Sequence, residues 1–148
     1  MIALASDHAG LPLKQEIMKL LDDMGLAWQD FGTYDRASCD YPVFGYRAAR
    51  AVSDGLCEKA VLVCGTGEGI GMAASKVKGT RVCICSDPYS AELSRRHNDS
   101  NVLSIGARVV GVDAALGIVK VWLETAFEGG RHARRIALIA DIEAGKEL

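Results

Sequence analysis

Cys64 ends the apolar run Lys59-Ala60-Val61-Leu62-Val63 and opens the segment Gly65-Thr66-Gly67-Glu68-Gly69-Ile70-Gly71, in which every second residue is glycine. A strand that passes through a Gly-rich turn into a helix clusters backbone N–H groups into a nest able to hold an anion. A thiol at the lip of such a nest suits proton transfer next to a developing negative charge. An ordinary thiol is only a few per cent thiolate near neutral pH, so a base role asks for help from the surroundings. The competing reading is a buried strand-end cysteine with no chemical task. The loop is not a phosphate-binding Walker loop, since no Gly-Lys-Ser/Thr follows. It resembles a dinucleotide fingerprint only loosely, and it follows the third strand rather than the first.

Two further polar clusters end apolar runs. Ile2-Ala3-Leu4-Ala5 leads into Ser6-Asp7-His8, and Thr80-Arg81-Val82-Cys83-Ile84-Cys85 leads into Ser86-Asp87. Ligands of open α/β sheets bind beyond the C-terminal ends of the strands, so all three clusters fall on the edge where a crevice belongs. Asp7-His8 reads equally as a catalytic pair, a ligand-binding pair or a polar helix cap. Arg131 and Arg135 lie four apart at a helix start and share a face; they suit a phosphate group, or form a solvated basic patch. His8, His97 and His132 lack the short spacing of a zinc site. Cys83 and Cys85 share one strand face and read as packing.

The elements that must position these residues alternate strictly. Strands are expected at 2–5, 26–31, 59–64, 80–85 and 101–105. Between them, Leu13, Ile17, Leu20, Leu21 and Met24 repeat at helical spacing before a capping Gly25. A helix is expected from about Pro42 to Gly55, another over Met72–Lys76, and another from Ser86-Asp87-Pro88 to about Asn98. Val112, Leu116, Val119 and Leu123 mark an amphipathic helix, and a last helix from Arg131 turns Ile136, Ile139 and Ile142 inward. This pattern predicts one domain over 1–148: a three-layer α/β/α, Rossmann-like fold with a five-stranded parallel sheet. Strand order is not legible in the pattern.

At 148 residues the chain is long enough for a substantial core. A formal net charge of −2 gives no sign of a nucleic-acid or anionic-membrane partner. The longest apolar stretch, 109–123, is broken by Asp113 and Lys120, well short of a membrane span. No signal peptide is recognisable, and five cysteines without framework spacing suit free thiols in the cytoplasm.

The ordered set of motifs resembles the type B ribose-5-phosphate isomerase family, with its galactose- and allose-6-phosphate isomerase relatives. It comprises Ser6-Asp7-His8-Ala9-Gly10, Phe31-Gly32-Thr33, Asp40-Tyr41-Pro42, Cys64-Gly65-Thr66-Gly67, Ser94-Arg95-Arg96-His97-Asn98-Asp99, Gly106-Ala107-Arg108-Val109-Val110-Gly111 and Glu128-Gly129-Gly130-Arg131-His132. The resemblance implies an aldose–ketose isomerase of the pentose phosphate pathway acting on a phosphorylated sugar, with no metal or organic cofactor. By the same resemblance Cys64 is the base that moves a proton between C2 and C1. His97 helps open the furanose ring, with Asp7 assisting. The amides of Gly65, Gly67, Glu68 and Gly69, with Thr66, hold the enediolate. His8, Arg131 and Arg135 match phosphate contacts, and Tyr41, Asn98 and Arg108 match other substrate contacts. The implied assembly is a homodimer or a pair of dimers with active sites at the subunit boundary, where His97, Asn98 and Arg108 serve the neighbouring chain. Glu68 stands where the family usually has an apolar or small residue, so it is expected to face outward or to touch a substrate hydroxyl. A six-carbon aldose phosphate is the alternative substrate, and a non-catalytic sugar-phosphate module is the alternative class.

Overall fold

Apolar runs and amphipathic stretches become strands and helices in strict alternation. The computed structural model describes residues 1–148. The elements are β1 (Ile2–Ser6), α1 (Leu11–Asp23), β2 (Trp28–Asp30), α2 (Tyr41–Ser53), β3 (Lys59–Cys64), α3 (Glu68–Ala74), β4 (Val82–Ile84), α4 (Pro88–Asn98), β5 (Val102–Gly106), α5 (Val112–Glu124) and α6 (Arg131–Glu143). All strand pairs are parallel, and their order across the sheet is β2-β1-β3-β5-β4. Helices α2 and α3 pack on one face; α1 and α5 pack on the other, with α4 against α5 and α6 against α4.

The strand period of two sorts residue size between the faces. Ile2, Leu4, Val61, Val63, Leu103 and Ile105 point toward α1 and α5, where Leu13, Ile17, Leu21, Ile118, Val119 and Trp122 meet them. Ala3, Ala5, Ala60, Leu62 and Cys64 point the other way, onto Ala48, Ala49 and Ala51 of α2 and Ile70 and Ala74 of α3. Small residues on that face let α2 lie close to the sheet, and the Cys64 side chain belongs to it.

The edge strands are shorter than the apolar runs suggest. β2 pairs only with Ile2–Leu4, and β4 pairs only with Val102–Ser104. Arg81, expected within β4, instead gives its N–H to Asn101 Oδ1 at 2.7 Å. Three helix expectations are corrected. α3 starts at Glu68 rather than Met72, because Gly67 turns the chain into helix at once with φ 82°. The inward face of α5 is Ala115, Ile118, Val119 and Trp122, while Val112 is exposed. This helix is apolar nearly all round, and Trp122 sets its rotation by giving Nε1–H to Ser100 Oγ at 2.8 Å. In α6 only His132 is buried; Ile139 and Ile142 are exposed, because the helix meets the rest of the chain chiefly at α4.

Lys14 is the one cation with almost no exposure, 1%. Its Nζ donates to Asp30 Oδ1 and to the Thr33 carbonyl, each at 2.6 Å, tying α1 to β2 and the loop behind it. Lys14→Ala leaves the buried Thr33 carbonyl without this donor and the half-buried Asp30 with only the Gly32 N–H, and is expected to cost about 2 kcal/mol, read from denaturant midpoints. A loss below about 1 kcal/mol would show that water reaches the pair freely.

Candidate active site

The first half of the site grows from the sheet order. β1 and β3 are neighbours, but the chain leaves β1 toward β2 and leaves β3 toward β5 and β4. Connections that part in opposite directions open a crevice at the C-terminal strand ends. Ser6 is in register with Val63, and the Asp7 N–H continues the ladder to the Val63 carbonyl at 3.1 Å. Asp7 therefore stands next to Cys64 on the α2/α3 side. Its Oδ1 accepts from the Gly10 N–H at 2.9 Å, and Gly10 lies so close to Val63 that a Cβ there would overlap it. His8 Nδ1 accepts the Cys39 N–H at 3.3 Å, which orients the ring.

The loop after Cys64 is held from two sides. The Gly67 N–H donates to Cys64 Sγ at 3.1 Å, and the Glu68 N–H donates to Thr66 Oγ1 at 3.3 Å. The Gly67 carbonyl accepts the buried Ser104 hydroxyl at 2.5 Å. A Cβ on Gly67 would sit 2.9 Å from the Gly106 nitrogen, so both its left-handed φ and the space require glycine. Tyr41 leans over Gly69, where a Cβ would come within 2.6 Å of its ring. Arg108 covers Gly65, its Nη1 3.2 Å from where a Cβ would stand. Arg108 thus sits against its own chain's Gly65 loop.

Cys64 itself is only 4% exposed. The cleft beside its loop, bordered by Thr66, Glu68, Ser86 and Val109, measures about 150 Å³. That is below the range of about 300–1,000 Å³ common for drug-sized ligands. Glu68 is exposed and faces that cleft.

The second half lies at the other end of the sheet. α4 runs antiparallel to the strands and delivers His97 and Asn98 just before β5 begins, at its N-terminal end. α6 starts there too, since the Glu128 N–H donates to the Arg96 carbonyl at 3.0 Å. Arg131 and Arg135 are exposed on its first turns and form no ion pair within the chain. His97 stacks on His132, ring centroids 4.3 Å apart and planes 9° from parallel. Glu128 Oε1 takes hydrogen bonds from Arg96, which holds the carboxylate well below its usual pKa, while Oε2 lies 3.5 Å from His132 Nε2 and 3.9 Å from His97 Nε2. Asn98 borders a cavity of about 320 Å³ between β4, α4 and α6.

The chain belongs to the ribose/galactose isomerase family, which it matches over residues 2–139. It is 47% identical over 142 residues to ribose-5-phosphate isomerase B of Escherichia coli K12, covering 96% of this chain and 95% of that one. Among solved structures, ribose-5-phosphate isomerase B of Clostridium thermocellum superposes with a TM-score of 0.96 at 49% identity, covering 97% of each chain. The Mycoplasma genitalium enzyme, solved with bound ribulose-5-phosphate, gives 0.92 at 39% identity over 97% of this chain and 95% of that one. No helix is long and apolar enough to cross a membrane.

Sequence spacing missed Glu128, His132 and Ser104 as parts of the site. His97 and His132 are distant in the chain, so the short-spacing test for histidine clusters passes over them, yet the fold brings both rings and Glu128 within 4.8 Å of one another. Burial first, then the charges of His97 and Arg131, lower the His132 pKa, and Glu128 opposes this only in part; Arg135 adds to the lowering. Unfolded His132 takes a proton near pH 6.5, whereas the folded residue resists it to lower pH. Below about pH 6.5 the unfolded chain then binds more protons, so this contribution to stability falls as pH drops and levels off below the folded pKa. His132→Phe is expected to flatten the melting-temperature profile across that window; an unchanged slope would contradict the assignment.

Proposed function

We propose that this chain is an aldose–ketose isomerase interconverting ribose 5-phosphate and ribulose 5-phosphate through a cis-enediolate, without a cofactor, in the cytoplasm. The working unit is a homodimer, alone or paired into a tetramer, in which each site joins the Cys64 edge of one copy to the His97 edge of another. The observation that carries this reading is the division of the polar residues. Asp7, Cys64 and the loop amides gather at one edge, suited to proton transfer, while the free arginines and the half-exposed histidine are at the far edge. The exposed apolar face of α6, with Leu138, Ile139 and Ile142, supplies contact area for a second copy.

In this mechanism His97 of one copy takes the anomeric O1 proton, assisted across the boundary by Asp7. The C1–O4 bond breaks, C1 becomes the aldehyde and O4 is protonated, so ring opening consumes no net proton. Cys64 Sγ then removes the C2 proton, and the developing charge on O1 and O2 falls on the amides of Gly65, Gly67 and Gly69 and on the Thr66 hydroxyl. Preorganised donors of this kind are worth about 3–4 kcal/mol each when removed singly. The O2 hydroxyl proton passes to O1, the same sulfur returns its proton to C1, and the C2=O2 carbonyl completes the ketose. His8 meets Arg131 and Arg135 of the other copy on the phosphate, while Tyr41, Arg108 and Asn98 hold the sugar hydroxyls.

The cleft by Glu68 and Ser86 is where a sixth carbon would extend, which keeps allose 6-phosphate and galactose 6-phosphate as the second reading. Its volume favours the five-carbon sugar: kcat/KM for ribose 5-phosphate is expected to exceed that for either hexose phosphate by about tenfold or more. The reverse order would move the assignment to the six-carbon branch. Cys64→Ala is expected to lower kcat by about 10³-fold or more while calorimetry still records sugar-phosphate binding. Turnover within a few-fold of the unaltered chain would reject Cys64 as the base, and binding without any solvent exchange at C2 in the unaltered chain would leave a sugar-phosphate module.

A further inference from the structure

Outside the groups that touch substrate, Glu128 and His132 form a cluster of titratable side chains with His97. Glu128 is pinned through one oxygen: Oε1 accepts Arg96 Nε at 2.6 Å and lies 2.5 Å from Arg96 Nη2. Arg96 is fixed in turn by Glu92 Oε1 at 3.1 Å from its Nη1. The free oxygen, Oε2, is thereby aimed at the two imidazoles, 3.5 and 3.9 Å away. His132 is buried and lies flat under the half-exposed His97 ring. Two stacked imidazoles cannot both carry a proton cheaply when Arg131 and Arg135 stand nearby, and the buried one is the one that stays neutral.

We propose that Glu128 and His132 are positioning residues for ring opening: His132 sets the plane of the His97 imidazole, and Glu128 stabilises the imidazolium that forms when His97 takes the anomeric proton. The inference rests on the reading of His97 given above. A carboxylate that orients an imidazole and balances its transient charge without itself taking the proton is the logic by which an aspartate supports the histidine of a hydrolase triad. Here the carboxylate acts from the same chain as the histidine, so each copy carries a finished acid–base unit to its neighbour's sugar.

Ring opening can be separated from enolisation by the choice of substrate. Ribose 5-phosphate is mostly a furanose, whereas ribulose 5-phosphate has its only ring-forming hydroxyl esterified and stays acyclic. Exchange of its C1 hydrogen with deuterated water therefore reads the Cys64 step alone. The full chain and the variants Glu128→Gln, His132→Ala, His132→Phe and His97→Ala are compared for ribose 5-phosphate turnover and for C1 exchange by NMR. Glu128→Gln and His132→Ala are expected to lower ribose turnover by about tenfold or more, with exchange kept within about twofold. His132→Phe, which keeps a ring under His97, is expected to restore most of the turnover that His132→Ala loses. Equal loss of turnover and exchange, or loss of neither, overturns the proposal. If His97→Ala itself leaves ribose turnover intact, the role of His97 falls; if only His97→Ala is impaired, His97 stands and the positioning role falls.

Discussion

A parallel sheet has two ends, and side chains grown from one end do not reach the other. β3 alone has six residues, which at about 3.3 Å per residue is about 20 Å of strand, longer than any side chain. The residues suited to sugar-phosphate chemistry are divided between those ends: Asp7, His8, Tyr41, Cys64 and Arg108 at one, His97, Asn98, Arg131 and Arg135 at the other. No rotation of a loop joins them within one copy. This geometric separation is what makes shared sites between copies the economical reading.

Everything at the Cys64 end depends on register and on close approach. Extending the β1–β3 ladder by one bond puts Asp7 beside Cys64, and Gly10 allows the turn after Asp7 to press against Val63. The left-handed Gly67 reverses the chain so quickly that its own N–H returns to Cys64 Sγ, and Ser104 holds the carbonyl of the same residue from the next strand. Backbone geometry thus fixes the donors around the sulfur, while packing against the α2/α3 layer buries it. At the other end positioning is electrostatic, through Arg96, Glu128 and the stacked histidines.

Much of this was legible in the sequence because it follows short-range rules. Alternating runs predict five parallel strands, and the rule for strand C-termini places Asp7, Cys64 and Ser86 on one edge. The Gly67 turn was legible as a loop, but not the helix that starts at Glu68, since glycines at 69 and 71 read as loop until a buried Ile70 anchors them. Helices α5 and α6 were misread for opposite reasons. In α5 nearly every face is apolar, so period alone cannot choose the buried one, and Trp122 decides it through Ser100. In α6 the pattern is clear, but the chain covers Ile139 and Ile142 only in part. The His97–Glu128–His132 cluster was invisible because it is made by α4 and α6 meeting, which no spacing rule records.

The most direct test of shared sites is complementation between two inactive chains. Cys64→Ala and His97→Ala are purified separately, mixed, unfolded and refolded together, and assayed on ribose 5-phosphate. If each site takes its sulfur from one copy and its imidazole from another, mixed dimers hold one unaltered site, and about a quarter of native activity returns on random pairing. A mixture as inactive as its two components, with mixed dimers present by native mass spectrometry, would contradict the account.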